Sequence, residues 1–199
     1  MKSSSSKLIL ASASPRRKTL LGATGLDFEI VESQIAEVRR DGESAPDFAV
    51  RMACEKALKV STRFRDALVL AADTIVECDG QILGKPTDAA DAHAMLRTLS
   101  GNTHTVVTAF AIARAGAVTE SMPVTSRVTF RALSPAEIAA YVASGDPLDK
   151  AGAYGIQNVG AGFIERVEGA RDNVMGLPVR EVLAALRRHG IAPSSEGSD

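Results

Sequence analysis

The apolar and polar positions of the chain fall into short blocks, and the period of each block indicates what it folds into. Residues 8–11 are a brief apolar run that breaks directly into Ser12-Ala13-Ser14-Pro15. Ser14 stands where a helix cap belongs and Pro15 where a first helical residue belongs, so a strand passes straight into a helix that Gly22 or Gly25 ends. Residues 28–31 have the pattern of a second strand, and the stretch from Pro46 to about Arg63 has helical spacing. Residues 67–76 are an almost continuous apolar run, followed by Asp79-Gly80, a strong hairpin signal leading to residues 81–83. A helix is expected over about 88–99, stopped by Gly101, and strand-like patterning over 106–114 and 118–133 flanks Gly116. Ser134-Pro135-Ala136-Glu137 matches a capping box and opens a helix that Gly145 ends. Residues 162–167 read as a late strand and 178–189 as an amphipathic helix stopped by Gly190. Strands and helices alternate early and hairpins come later, which predicts an α/β domain with a mixed, incompletely parallel sheet flanked by helices.

Composition narrows the class. The 199 residues, 45% hydrophobic and 24% charged, show no linker or repeat and read as one domain over 1–199, with room for two lobes. Tails at 1–6 and 192–199 are expected to be disordered. A chain of this length buries roughly 70% of its unfolded surface and needs no staples. Lys and Arg number 23 against 24 Asp and Glu, so nothing global steers the protein to nucleic acid or an anionic membrane. Aromatics are 4% with no Trp, too few for a surface that stacks a row of bases. Cys54 and Cys78 make no disulfide framework and no zinc spacing, which fits a reducing cytoplasm. No apolar run approaches the ~20 residues of a membrane span, and the serine-rich start leads straight into a strand, so no signal peptide is expected. His93, His104 and His189 lack metal-ligand spacing, and Gly152, Gly155, Gly160 and Gly162 spell no phosphate-loop fingerprint.

Four places break local rules, and such breaks concentrate at functional sites. Arg16-Arg17-Lys18 puts cations in a helix's first turn, where the backbone dipole favours anions. A lone pair there would be a solvated basic turn, but the serines ahead of it, Ser12 and Ser14, shift the reading toward a phosphate site. Asp73 interrupts an apolar run, where a carboxylate is costly unless it meets a cation, a metal or several donors. A strand-end Asp bonded to a turn explains it equally well, and a strand end at a cleft would suit a metal ligand or general base. Arg51, Glu55 and Lys59, four apart, form a solvated charge ladder, whereas Lys56 lies on or beside the apolar stripe of the same helix. It either snorkels, the commoner case, or reaches a buried anion. Lys85, just past the hairpin after Asp73, is either an edge protector or a cation returning toward Asp73.

The order and spacing of the motifs resemble the Maf-type nucleotide pyrophosphatases, also called septum formation protein Maf. The residues that carry the resemblance are Leu10-Ala11-Ser12-Ala13-Ser14-Pro15-Arg16-Arg17, Glu55-Lys56-Ala57, Ala72-Asp73-Thr74 and Gly84-Lys85-Pro86. They continue with Leu99-Ser100-Gly101, His104 to Thr108, Asp149 to Gln157, and Gly176-Leu177-Pro178, so the match runs from Leu8 to the last helix. The resemblance implies a fold like that of inosine triphosphate pyrophosphatases and a cytoplasmic enzyme that uses Mg²⁺ or Mn²⁺ to hydrolyse nucleoside triphosphates to monophosphate and pyrophosphate. It implies Asp73 as proton acceptor, Glu37 and Asp73 as the acidic metal site, and Ser12, Arg16, Arg17, Lys56 and Lys85 as phosphate ligands. Arg16, Thr74 and Gln157 match the branch preferring dTTP and UTP, with modified pyrimidine triphosphates as a further candidate class. The branch acting on 7-methyl-GTP differs at those three positions, and the septum name invites a third reading, a non-catalytic binding module in division. The implied partner is a nucleotide, not nucleic acid or membrane, with room for a homodimer. Two positions depart from the family: Asn158 replaces the usual glycine after Gln157, and Ala36 stands where a second acidic residue is common.

Overall fold

The computed structural model describes residues 7–193, excepting the side chains of Asn158 and Val159. The tails expected at 1–6 and 192–199 therefore lie outside the described residues, save for Ala192 and Pro193. Seven strands, β1 (Leu8–Leu10), β2 (Glu29–Ile30), β3 (Leu68–Cys78), β4 (Gln81–Leu83), β5 (Thr103–Arg114), β6 (Ala117–Phe130) and β7 (Ile164–Glu168), form one sheet. Six helices accompany them: α1 (Pro15–Gly22), α2 (Ala45–Ser61), α3 (Ala89–Leu99), α4 (Pro135–Ala143), α5 (Arg171–Met175) and α6 (Val179–Arg188). The expected mixed α/β architecture is what forms.

The sheet order is β2-β1-β3-β5-β6-β7, with β4 paired to β3. β1 runs parallel to β2 and β3, and the remaining pairings are antiparallel. One consequence of this order positions the site. β1 pairs with β3 only up to Leu70, and β4 pairs with it only from Val76. Between those points β3 has a ladder partner on its β5 side alone, so the sheet opens there and Asp73 and Thr74 stand in the gap.

Because strand side chains alternate, neighbouring residues at that gap face different layers. Val69, Ala71 and Ile75, which share the face of Asp73, pack under Phe48, Ala49, Met52, Ala53, Ala57 and Val60 of α2. Leu68, Leu70 and Ala72, which share the face of Thr74, pack with Leu21 of α1 and Val182, Ala185 and Leu186 of α6. A third cluster joins α3 and α4 to the far ends of β3, β5 and β6.

The local signals explain most element ends. The Asp79-Gly80 turn has both residues at positive φ, 49° and 76°, as a tight two-residue hairpin requires. Ser134 and Glu137 form the predicted reciprocal capping box. Ser14 does occupy the cap position of α1, yet its side chain caps nothing; its backbone N–H donates instead to Ser12 Oγ, at 3.2 Å. The short helix α5 and the 3-10 turns Asp146–Asp149, Ala151–Ala153 and Asn158–Phe163 were outside the sequence reading.

His104 of β5 is buried against Phe130 and Tyr154, with ring centroids 5.0 and 5.3 Å away, and shares a 2.7 Å hydrogen bond with the Tyr154 hydroxyl. Burial pushes its pKa down to about 4, against about 6.5 in an unfolded chain. Between those values the unfolded chain holds a proton that the folded one does not, so stability falls as pH drops through this window. The shift amounts to about 3 kcal/mol, present above pH 6.5 and lost toward pH 4. Urea midpoints at pH 7.5 and 4.5 check this: His104→Gln is expected to lose distinctly less stability on acidification than the native chain, and equal losses would rule His104 out as the cause.

Candidate active site

A polar cleft with a volume of about 570 Å³ opens at the gap in the sheet, lined from α1, the 32–37 segment, α2, β3, Lys85, the 146–157 segment and the end of α5. Every residue proposed from the sequence lies on it: Ser12, Arg16, Arg17, Glu37, Lys56, Asp73, Thr74, Lys85 and Gln157. Residues some 145 positions apart in the chain thus share one cavity wall.

At its floor Lys56 takes the second of its two expected courses. The α2 stripe carries its side chain toward the sheet, leaving the residue 7% exposed, with Nζ 2.5 Å from Asp73 Oδ1 and 2.5 Å from Glu37 Oε1. One ammonium therefore joins two carboxylates, which are pushed in opposite directions. Burial raises the pKa of Asp73 against the pull of Lys56 and Arg17, and the charge of Glu37 adds to the rise. Burial also opposes ionisation of Glu37, but Lys56, helped by Lys85 and Arg17, outweighs it and holds that carboxylate below its ordinary range. A pair of carboxylates driven apart in this way has one member suited to stay charged and one suited to take a proton.

Arg17 reaches the same place from α1. Its Nε donates to the Gly176 carbonyl at 2.8 Å, Nη1 to Ser12 Oγ at 3.4 Å and Nη2 to Thr74 Oγ1 at 3.1 Å. Among the described residues no carboxylate pairs with it, so a half-buried guanidinium is held entirely by neutral acceptors. Such a cation has its charge available for an anion. The hydroxyls behind it have a defined direction. Thr108 donates to the Asn173 carbonyl at 2.8 Å, so its 3.0 Å contact with Thr74 uses the proton of Thr74, which leaves Thr74 Oγ1 as an acceptor for Arg17. Thr74 thus orients Arg17.

The sequence reading passed over several residues of this arrangement. Asn173 is fully buried and donates to Ser126 Oγ at 2.9 Å and the Val106 carbonyl at 3.3 Å, which anchors α5 under the cleft. Gly176, at φ 111°, ends α5; a Cβ there would stand 3.3 Å from Thr74 Oγ1 and 3.6 Å from Arg17 Nε. Its place in the quoted Gly-Leu-Pro motif was the only signal of that role. Arg51 corrects the reading of a solvated ladder. It does pair with Glu55 at 3.1 Å, but its Nε and Nη2 also grip Glu43 at 2.6 and 2.7 Å, and Nη2 reaches the Val38 carbonyl at 2.9 Å. The clamp secures the segment that carries Glu37. Arg16 is paired with Asp149 across the cleft mouth at 3.4 Å, Lys85 is exposed on its rim, and Gln157 is exposed on the opposite wall.

A mixed sheet split beside a buried acid, with cations converging on the split, defines an α/β protein built around a polar, cation-lined cleft. The Staphylococcus aureus Ham1 protein shares this fold, with a TM-score of 0.51 at 15% identity over 93% of this chain and 100% of that one. The model of the family described as Maf-like protein matches residues 7–189, and the chain belongs to that family. It is 52% identical over 180 residues to a dTTP/UTP pyrophosphatase of Salmonella typhimurium, covering 90% of this chain and 91% of the relative. It is 47% identical over 188 residues to a dTTP/UTP pyrophosphatase of Geobacter metallireducens, covering 93% and 97%.

Proposed function

We propose that this chain, acting as one Maf-like domain in the cytoplasm, hydrolyses dTTP and UTP to the monophosphate and pyrophosphate. The observation that carries the reading is the Asp73–Lys56–Glu37 cluster beside a guanidinium with only neutral partners; the names of the relatives support it. No helix among the described residues is long and apolar enough to cross a membrane.

In this reading Lys56 engages Asp73 Oδ1 and leaves Oδ2 for a water. Asp73 takes a proton from that water as its oxygen attacks the α-phosphorus. The bond from the α-phosphorus to the bridging oxygen breaks, and pyrophosphate leaves against Arg16, Arg17 and Lys85, with Ser12 beside them. Reaction at phosphorus is mostly positioning and charge neutralisation, which this set of cations supplies. Gln157 contacts the base, and Thr74 acts by fixing Arg17.

The lining also fits a divalent cation of the magnesium class. Five Lys or Arg residues face five Asp or Glu residues, so the wall is formally balanced and its cations offset only part of the negative charge that a triphosphate brings. Glu37 and Asp73 both line the cleft, with Glu37 Oε1 and Asp73 Oδ1 meeting at Lys56 Nζ rather than at an open point, and among the described residues no group of three or more His, Cys, Asp or Glu is placed to hold a metal. Magnesium is commonly held by one or two carboxylates plus substrate phosphates, and these two residues would hold it. When bound, the ion supplies charge neutralisation and orientation of phosphate oxygens.

Incubation with UTP, dTTP, CTP, GTP and 7-methyl-GTP, each with Mg²⁺ or Mn²⁺, tests the proposal by product chromatography. UMP and dTMP with pyrophosphate are expected. Diphosphate with orthophosphate, preference for 7-methyl-GTP, or no turnover would reject it.

A further inference from the structure

The chain has two tyrosines, and both converge on the segment leading to Gln157. Tyr154 begins it. Tyr141 Oη, from α4, accepts the Gly155 N–H at 3.2 Å and donates to Asp146 Oδ2 at 2.7 Å. Asp146 Oδ1 accepts from Lys150 Nζ at 3.1 Å, and Lys150 also donates to Asp149 Oδ1 at 2.7 Å and to the Asp146 carbonyl. Asp149 in turn holds Arg16. A continuous polar path therefore runs from the backbone beside Gln157 to the phosphate-facing helix α1.

Lys150 is the middle of that path. It lines the cleft, which makes it look like one more phosphate ligand, but an ammonium has three donors and all three are committed. Its stem also lies across Gly155: a Cβ on that glycine would come within 3.0 Å of Lys150 Cε and 3.2 Å of Cδ. The side chain is only 12% exposed, so the charge is neutralised in place by two aspartates rather than offered to solvent.

We infer that Lys150 is a positioning residue for base selection, a brace that fixes the Gly155-Ile156-Gln157 wall relative to the phosphate cations without touching the reacting phosphates. This rests on the reading of the cleft as a pyrimidine triphosphate site. Without the ammonium, Asp146 loses its cation and Asp149 keeps only the 3.4 Å contact with Arg16, the Tyr141 contact to Gly155 loses its backing, and Gln157 is free to shift.

Lys150→Met keeps the stem and removes the charge. Its expected signature is a KM for UTP raised about tenfold and a kcat/KM preference for UTP over CTP reduced about tenfold, since misplacing a recognition group weakens discrimination by this order. The kcat for UTP should stay within about threefold, because the reacting phosphates lose no ligand. Lys150→Arg is expected to restore part of the preference. Hydrogen exchange, which does not depend on turnover, should quicken over 150–157 in Lys150→Met and be unchanged over β3. Tyr141→Phe, which keeps the ring packing on Phe163, should move selectivity in the same direction and serves if Lys150→Met does not fold. A fall in kcat with unchanged selectivity would make Lys150 a phosphate ligand, and a lower Tm with unchanged KM and selectivity would make it structural only; either overturns the inference. Native protein that turns over no triphosphate would fail the function proposed above, while unchanged exchange over 150–157 would fail the brace itself.

Discussion

Asp73→Asn is expected to lower kcat for UTP on the order of 10³-fold, the scale on which general bases contribute, while the protein stays folded. Asparagine has nearly the same shape and its carbonyl oxygen can still accept from Lys56 Nζ, now 2.5 Å from Asp73 Oδ1. It cannot take a proton from water. At saturating UTP and Mg²⁺ the loss should sit in kcat; KM carries two opposed effects, relief of charge repulsion on the phosphates and loss of one carboxylate from the cation site. Stability should change little: the buried carboxylate's desolvation cost disappears, and Lys56 keeps Glu37, also at 2.5 Å. The native pH profile is part of the same expectation. Burial raises the pKa of Asp73, so the acid limb of kcat/KM should fall above the ordinary carboxylate range and report the Asp73–Lys56–Glu37 cluster as a unit. Steady-state kinetics with circular dichroism decide the matter: activity within tenfold of native removes Asp73 from the base role, and a lost fold transfers the effect to structure.

How much of this was readable beforehand depends on whether the signal was local. Asp79-Gly80, the Ser134–Glu137 box and Pro15 at a helix start act over a few residues, and the elements they bound appear where expected. The alternation of β3 puts Asp73 and Thr74 on opposite faces by period alone. What stands on each face is a tertiary fact: α2 delivers Lys56 to one side, and α1 with the α5 end delivers Arg17 and Gly176 to the other. Snorkelling was the commoner expectation for Lys56, and it failed because β3 places an acid directly under the helix. Asn173 and the Tyr141–Asp146–Lys150 path left no trace in the pattern, since α5 has five residues and the turns around them carry no periodicity. Arg51 looked like one rung of a three-residue ladder because helix spacing cannot reveal a grip on Glu43 and Val38 in a loop.

Lys56→Met should be the more damaging change to the molecule as a whole, because it removes the one cation that two carboxylates share. Loss of one partner from a buried ion pair costs about 3–5 kcal/mol, and here the charges left behind also repel each other. Asp73 is 4% exposed, so it cannot escape to water. Its pKa, already raised by burial, would rise further once the ammonium that lowers it is gone. The sign of the pH dependence follows. A carboxylate whose folded pKa lies above its unfolded value contributes stability below the unfolded pKa and loses it as pH climbs through the folded one. Lys56→Met should therefore be least stable at neutral and alkaline pH, and should recover toward the native chain as pH falls and Asp73 takes up a proton. The His104 contribution, which runs the other way with pH, is common to the native chain and the variant and cancels in their difference. Catalysis should fall about 10²-fold or more in kcat/KM, through the lost positive charge near the phosphates and the loss of the ammonium that orients Asp73. Thermal melts from pH 5 to 8.5 give the decisive comparison. A stability deficit that shrinks on acidification is the expected result, whereas a deficit constant with pH would mean that Lys56 acts by packing its stem against Met52 and Val60 rather than by holding two carboxylates together.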